Sequence, residues 1–181
     1  MQFTKVLTTF AGFFEREGIR WAIAGGVAVG AWGYERGTQD MDFVISGEDR
    51  EKVTAFAESI GYETIHASES FSNHEHPMEA FGRVDAIYVN GRTAEDMFAA
   101  ATTRTAVGDV IAPVISAEHI AMMKAFAIKT DPDRRYRDGR DIEFLLTLPG
   151  INREAVRNYF ARLGLLELFD DIDSARNRLR L

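Results

Sequence analysis

Apolar residues recur at helical spacing from the start of the chain. Phe3, Val6, Leu7, Phe10, Phe13 and Phe14 fall on one side of a helix over 2–17, and Gly18 stands where a left-handed cap would end it. The period then changes. Trp21-Ala22-Ile23-Ala24 is a short apolar run closed by a glycine pair, which predicts a buried strand, and the small residues from Val27 to Trp32 predict a short helix on it. Met41 to Ile45 predicts a second strand. Ser46 with Asp49 opens a helix through Ser59, closed by Gly61. Tyr62 to His66 is strand-like, and residues 67–77, rich in Ser, Asn and His, predict an exposed loop. Arg83 to Val89 predicts a strand ended by the turn signal Asn90-Gly91. Thr93 with Asp96 caps a helix through Thr102, and Val110 to Ile115 is a short extended segment broken by Pro113.

From Ser116 onward the pattern is helical. Ile120, Met123, Lys124 and Ile128 share one helix face, and further helices are predicted over Asp141–Leu148, from Asn152, and over Leu165–Leu179. Strands alternate with helices before this point and only helices follow it. The expected class is therefore α/β (or α+β), with a core over 1–115 and a helical C-terminal region over 116–181 packed on it. At 181 residues the chain can bury a substantial core without staples.

Composition narrows the chemistry. The absence of cysteine excludes disulfides, zinc–thiolate sites and a cysteine nucleophile. No window has the length of apolar sequence that a membrane helix needs, and the amphipathic start does not read as a signal peptide, so a cytoplasmic location is expected. A net charge of -7 argues against a general nucleic-acid coat. Two basic clusters stand out against that charge: Lys129 with Arg134, Arg135, Arg137 and Arg140, and the terminal Arg176, Arg178 and Arg180, the latter read as a solvated helix face.

The candidate chemistry lies in Gly25-Gly26 and, after a gap of thirteen residues, Asp40-Met41-Asp42. Two carboxylates two apart on a strand project from one face. Their repulsion calls for a compensating cation, and hard divalent ions take oxygen ligands. Asp85, inside another apolar strand, is costly there unless paired or metal-bound. If the two strands are neighbours, Asp85 completes a three-carboxylate cluster suited to Mg²⁺ together with phosphate oxygens. A glycine pair between strand and helix lets backbone N–H groups approach a phosphate. Against this stand blander roles: a salt bridge from Asp85 to Arg83, loop ordering by Arg36 and Thr38, a snorkelling Lys124, and Asp141 paired with Arg137. His74 and His76 are read as solvated loop histidines rather than zinc ligands, and Trp32 and Tyr34 as packing residues.

Ala24-Gly25-Gly26 followed by Arg36-Gly37-Thr38-Gln39-Asp40-Met41-Asp42-Phe43-Val44 resembles the signature of the nucleotidyltransferase (DNA polymerase β-like) superfamily. It is most similar to that of bacterial AbiEii/MenT-type toxin nucleotidyltransferases and small antibiotic nucleotidyltransferases. The resemblance runs over about residues 20–146 and is loose at Lys124 and Arg140-Asp141-Ile142. It implies a mixed sheet flanked by helices and a helical C-terminal part. It also implies an enzyme that moves a nucleoside monophosphate from a nucleoside triphosphate to a hydroxyl on RNA, protein or a small molecule. By the same resemblance Asp40 and Asp42 bind Mg²⁺ or Mn²⁺, and Asp85 is third ligand or general base. Gly25 and Gly26 hold phosphate, and Arg36, Thr38 and Lys124 contact phosphates or orient the nucleotide. Within the superfamily a toxin-like member is favoured over an aminoglycoside-type one, with tRNA as acceptor and an antitoxin as partner. A catalytically silent nucleotide- or partner-binding module on the same fold is the alternative.

Overall fold

The computed structural model describes residues 1–178, with side chains described to Ala175. The side chains of Arg176, Arg178 and Arg180 therefore lie outside the described residues. The chain divides into two compact units, Met1–Ile115 and Ser116–Leu181.

The first unit is built on a seven-stranded mixed sheet. In chain order it contains α1 (Phe3–Glu17), β1 (Trp21–Ile23), α2 (Gly25–Ala31), β2 (Asp40–Ser46), α3 (Arg50–Ser59), β3 (Glu63–Ala67), β4 (Phe71–Glu75), β5 (Arg83–Val89), α4 (Gly91–Ala99), β6 (Thr102–Val107) and β7 (Val110–Val114). The strand order is β3-β4-β5-β2-β1-β7-β6. β2 runs parallel to β5 and antiparallel to β1, and β1 runs parallel to β7.

The N-terminal helix forms as its periodicity predicts. Val6, Leu7, Phe10, Phe13 and Phe14 are buried, and Gly18 takes the left-handed cap conformation. Phe10 and Phe14 meet Phe43 of β2, at ring-centroid distances of 5.6 and 5.3 Å, and Trp21 of β1 joins them at 5.7 Å. Phe43 alternates with Asp42. The aromatic core therefore fixes one face of β2 against α1 and leaves Asp40 and Asp42 on the other.

Three segments differ from their expected form. Residues 71–75 are not loop but a strand, β4, inserted between β3 and β5. Its inward residues are the polar Ser72 and His74, both fully buried, so no hydrophobic alternation marks it. Their polarity is satisfied within the sheet. His74 Nε2 and Ser72 Oγ share a hydrogen bond of 2.8 Å, Ser72 Oγ and Tyr88 OH one of 2.7 Å, and His74 Nδ1 and Thr64 Oγ1 one of 3.2 Å. His74 is thus a core residue, not a solvated one. The helix over 93–102 ends at Ala99, and Thr102 instead begins β6, which pairs with β7 in a hairpin. In front of α3 the chain first makes a short 3-10 turn over Gly47–Asp49, and Ser46 Oγ donates to Glu48 rather than capping the helix.

The second unit contains four helices, α5 (Ala117–Thr130), α6 (Arg135–Leu145), α7 (Arg153–Leu163) and α8 (Leu166–Arg178). Ser116 caps α5 by accepting from the His119 N–H, and Asn152 caps α7 by accepting from Ala155. α6 begins several residues before Asp141, because the basic stretch from Arg135 is itself helical. No helix among the described residues is long and apolar enough to cross a membrane.

Candidate active site

β2 and β5 are in register over their whole length, so Asp42 lies beside Asp85 and Asp40 beside Arg83. β4 continues the same rows on the far side of β5, placing Asn73 beside Asp85 and Glu75 beside Arg83. Two polar rungs result on one face of the sheet, Asn73–Asp85–Asp42 and Glu75–Arg83–Asp40. The residues between them, Met41, Val84 and His74, are buried on the opposite face.

Asp85 accepts two hydrogen bonds on a single oxygen, Oδ1. Asn73 Nδ2 donates at 2.8 Å and Arg83 Nε at 2.8 Å. That bond to Asp85, followed by the charges of Asp85, Asp40 and Asp42, holds the Arg83 guanidinium above its ordinary pKa against partial burial. Among the described residues no three acidic or histidine side chains converge on one point. The three carboxylates of the expected cluster lie in adjacent positions, with Arg83 bonded to Asp85.

The glycine pair closes in on these side chains. Gly25 has φ +59°, and a Cβ built there would stand 1.9 Å from Asp42 Oδ2. A Cβ on Gly26 would stand 2.5 Å from Thr38 Oγ1 and 3.1 Å from Arg36 Nη2. These are close approaches that only glycine permits. Thr38 Oγ1 donates to Asp40 O at 3.4 Å, and Arg36 Nη1 to Gly37 O at 2.9 Å. The structure thus gathers Gly25, Gly26, Arg36, Thr38, Asp40, Asp42 and Asp85 in one region of the first unit.

Lys124 belongs to the second unit, and its ammonium is engaged there. It is buried, 2.9 Å from Asp138 Oδ1 and 2.6 Å from Asp141 Oδ2. Burial pushes Asp138 up, but Lys124 and Arg134 outweigh it and hold the carboxyl below its usual range. Asp141 pairs with Lys124, a partner that the helical spacing of α6 did not offer. Trp32 donates from Nε1 to Ile115 O and carries Arg104 over its ring, so that face is covered.

Beside Asp40 opens a cavity of about 700 Å³, whose lining includes Thr38, Glu63, Glu75, Glu79 and Arg83. Four carboxylates, counting Asp40, face one guanidinium.

Comparison with solved structures decides the fold. An antigenic nucleotidyltransferase-like protein from Paracoccidioides brasiliensis superposes with TM-score 0.60 at 16% identity, over 97% of this chain and 92% of that one. The chain has the nucleotidyltransferase fold. The antibiotic-resistance factor ANT(2'')-Ia gives TM-score 0.58 at 16% identity over 99% of this chain and 95% of its own. The lincosamide adenylyltransferase LnuA, solved with lincomycin bound, gives 0.55 at 21% identity over 78% and 94%. No family model matches the sequence, and no curated protein is significantly similar to it. At these identities the likeness carries the fold alone, and activity must be argued from the site.

Sequence reasoning missed Asn73 and Glu75, because the segment that carries them reads as loop. The one signal available was that Ser72 and His74 alternate with Phe71, Asn73 and Glu75. A polar inward face hides that pattern from any hydrophobicity criterion.

Proposed function

We propose that the protein transfers a nucleoside monophosphate from a nucleoside triphosphate to a hydroxyl group, with a Mg²⁺ or Mn²⁺ ion held by Asp40 and Asp42. The observation that carries the proposal is the row Asp85–Asp42–Gly25: two carboxylates side by side on neighbouring strands, one seated where no side chain larger than hydrogen fits. This donor set of charged oxygens fits a hard divalent cation. When bound, such an ion neutralises the triphosphate and the charge that develops during transfer.

The chain's own residues do the rest. The α2 N-terminus at Gly25-Gly26 carries no side-chain cap, and its N–H groups are directed to phosphate oxygens. Arg36 and Thr38, crowded against Gly26, orient the phosphate chain. Asp85 serves as third ligand, or as base for the acceptor hydroxyl, and the bond from Asn73 that orients its carboxylate supports either role. The acceptor oxygen bonds to the α-phosphorus as its proton passes to Asp85 or, where Asp85 is a ligand, to solvent. The bond from the α-phosphorus to the bridging oxygen of the β-phosphate breaks, and pyrophosphate departs.

The acidic cavity beside Asp40 favours a cationic small molecule as acceptor, because four carboxylates would repel the phosphate backbone of tRNA. LnuA was solved with lincomycin bound and ANT(2'')-Ia in complex with adenylyl-2''-tobramycin, and both fit that class of acceptor for those proteins. The toxin-like reading, with tRNA and an antitoxin, is retained as an outcome of the test.

The test is incubation with each labelled nucleoside triphosphate and Mg²⁺, against hydroxyl-bearing amines (aminoglycosides and lincosamides among them) and total tRNA. Label on an amine, lost in Asp42→Asn, is the expected result. Label on tRNA alone would move the acceptor to RNA. Mg²⁺-dependent triphosphate binding without transfer to any acceptor would favour the silent binding module.

A further inference from the structure

Arg83 occupies an unusual position for an exposed salt-bridge residue. It is the centre of a rung, with Asp40 beside it on β2 and Glu75 beside it on β4. Asp85 is two residues ahead on the same face, and its Oδ1 accepts from Arg83 Nε at 2.8 Å. Neighbouring strands stand about 4.8 Å apart, so the guanidinium feels Asp40 and Asp42 as well as its bonded Asp85, and Glu75 is its register partner on β4. A cation already bonded to a prospective metal ligand must leave it, or weaken the metal's hold. Its side chain is about half exposed, and an ion pair of that kind contributes little to folding. The cost of leaving is therefore small.

Resting on the proposed function, with Asp85 as third ligand of the cation held by Asp40 and Asp42, we propose that Arg83 is an internal counter-ion that competes with that cation for Asp85 and passes to Glu75 when the cation enters. The exchange breaks the Arg83 Nε bond to Asp85 Oδ1 and replaces it with a cation–oxygen contact. Arg83 stays protonated throughout, and no covalent bond changes. Asn73 keeps its bond to Oδ1 and preserves the orientation of the carboxylate. Glu75, the register partner of Arg83 and part of the cavity wall, receives the guanidinium on the side away from Asp40. Arg83 is thus a positioning residue that sets metal affinity. It also offsets part of the repulsion among the carboxylates before the metal arrives.

The test is Mn²⁺ binding to the full chain, followed by the electron paramagnetic resonance signal of free Mn²⁺, with no nucleotide present. Arg83→Gln is expected to tighten Mn²⁺ at least about fivefold, and Arg83→Lys to stay near wild type. Glu75→Gln is expected to weaken binding severalfold in the wild-type background and to have little further effect in the Arg83→Gln background, because it acts through the arginine. Unchanged or weaker Mn²⁺ binding in Arg83→Gln overturns the proposal, as does a Glu75→Gln effect that is the same in both backgrounds. Arg83→Ala repeats the measurement in case the glutamine finds a new bond. Asp42→Asn separates the two levels. If it leaves Mn²⁺ binding intact, the cation lies elsewhere and the proposed function fails with the exchange. If it abolishes binding while Arg83→Gln changes nothing, only the exchange fails.

Discussion

Gly25 shows how much one hydrogen atom decides. Its φ of +59° and the 1.9 Å between a built Cβ and Asp42 Oδ2 leave no room for alanine. Gly25→Ala should destabilise the fold by about 1–3 kcal/mol through backbone strain. It should also push the Asp42 carboxylate aside, lowering kcat at least about 100-fold, since displacements near 1 Å have that cost. Thermal unfolding and transfer kinetics on the same sample would check both, and a fully active Gly25→Ala would dismiss the cradle. Asp42→Asn separates the two effects differently. Activity should fall by about 100-fold or more, while the metal-free protein should be no less stable, because a like-charge repulsion with Asp40 and Asp85 is relieved. These residues were legible in the sequence because Asp-x-Asp on a strand needs only the period of two to share a face. Arg83 was legible as a partner for Asp85, but not as the neighbour of Asp40 and Glu75.

At the scale of elements, β4 carries the lesson. Thr64 Oγ1 donates to Glu58 Oε1 and so accepts from His74 Nδ1–H, which leaves Nε2 to accept from Ser72. With the imidazole neutral, Ser72 donates to it and accepts from Tyr88 OH. Burial lowers the His74 pKa below 6.5, with Glu58 and Asp85 opposing it. The unfolded chain therefore binds a proton that the folded chain refuses. The contribution of His74 is full above pH 6.5 and is lost as pH falls toward and through the lowered folded value. Urea unfolding across this range should show a steeper acid loss for wild type than for His74→Gln. An identical pH dependence would count against the neutral, buried histidine. In the helical unit, Lys124→Met removes the ammonium that the buried Asp138 and Asp141 share, leaving Asp138 with Arg134, and should cost about 3–5 kcal/mol. A Lys124→Met protein of normal stability but raised KM for the triphosphate would return Lys124 to the phosphate role. Helical periodicity alone could not choose between these roles, since the partners of Lys124 sit on another helix.

Across the whole molecule, the net charge of -7 and the acidic cavity act together. A cationic acceptor should be drawn in by a field that salt weakens. Raising ionic strength from about 0.01 to 0.1 M shortens the screening length from about 30 to about 10 Å. KM for such an acceptor should therefore rise severalfold while kcat changes little. A KM that falls with salt would indicate an anionic acceptor. What the sequence alone determined is local: the amphipathic first helix and its glycine cap, the paired aspartates on one face of a strand, and the change from alternating elements to helices near residue 116. Each follows from periods of two or 3.6 read within a few residues. Only the tertiary structure decided that β5 lies beside β2 and β4 beside β5, and so that Asp85, Arg83, Asn73 and Glu75 share a face with Asp40 and Asp42. Strand pairing joins segments far apart in the chain, and a strand whose buried side is Ser and His declares itself only when its hydrogen-bond partners are in place.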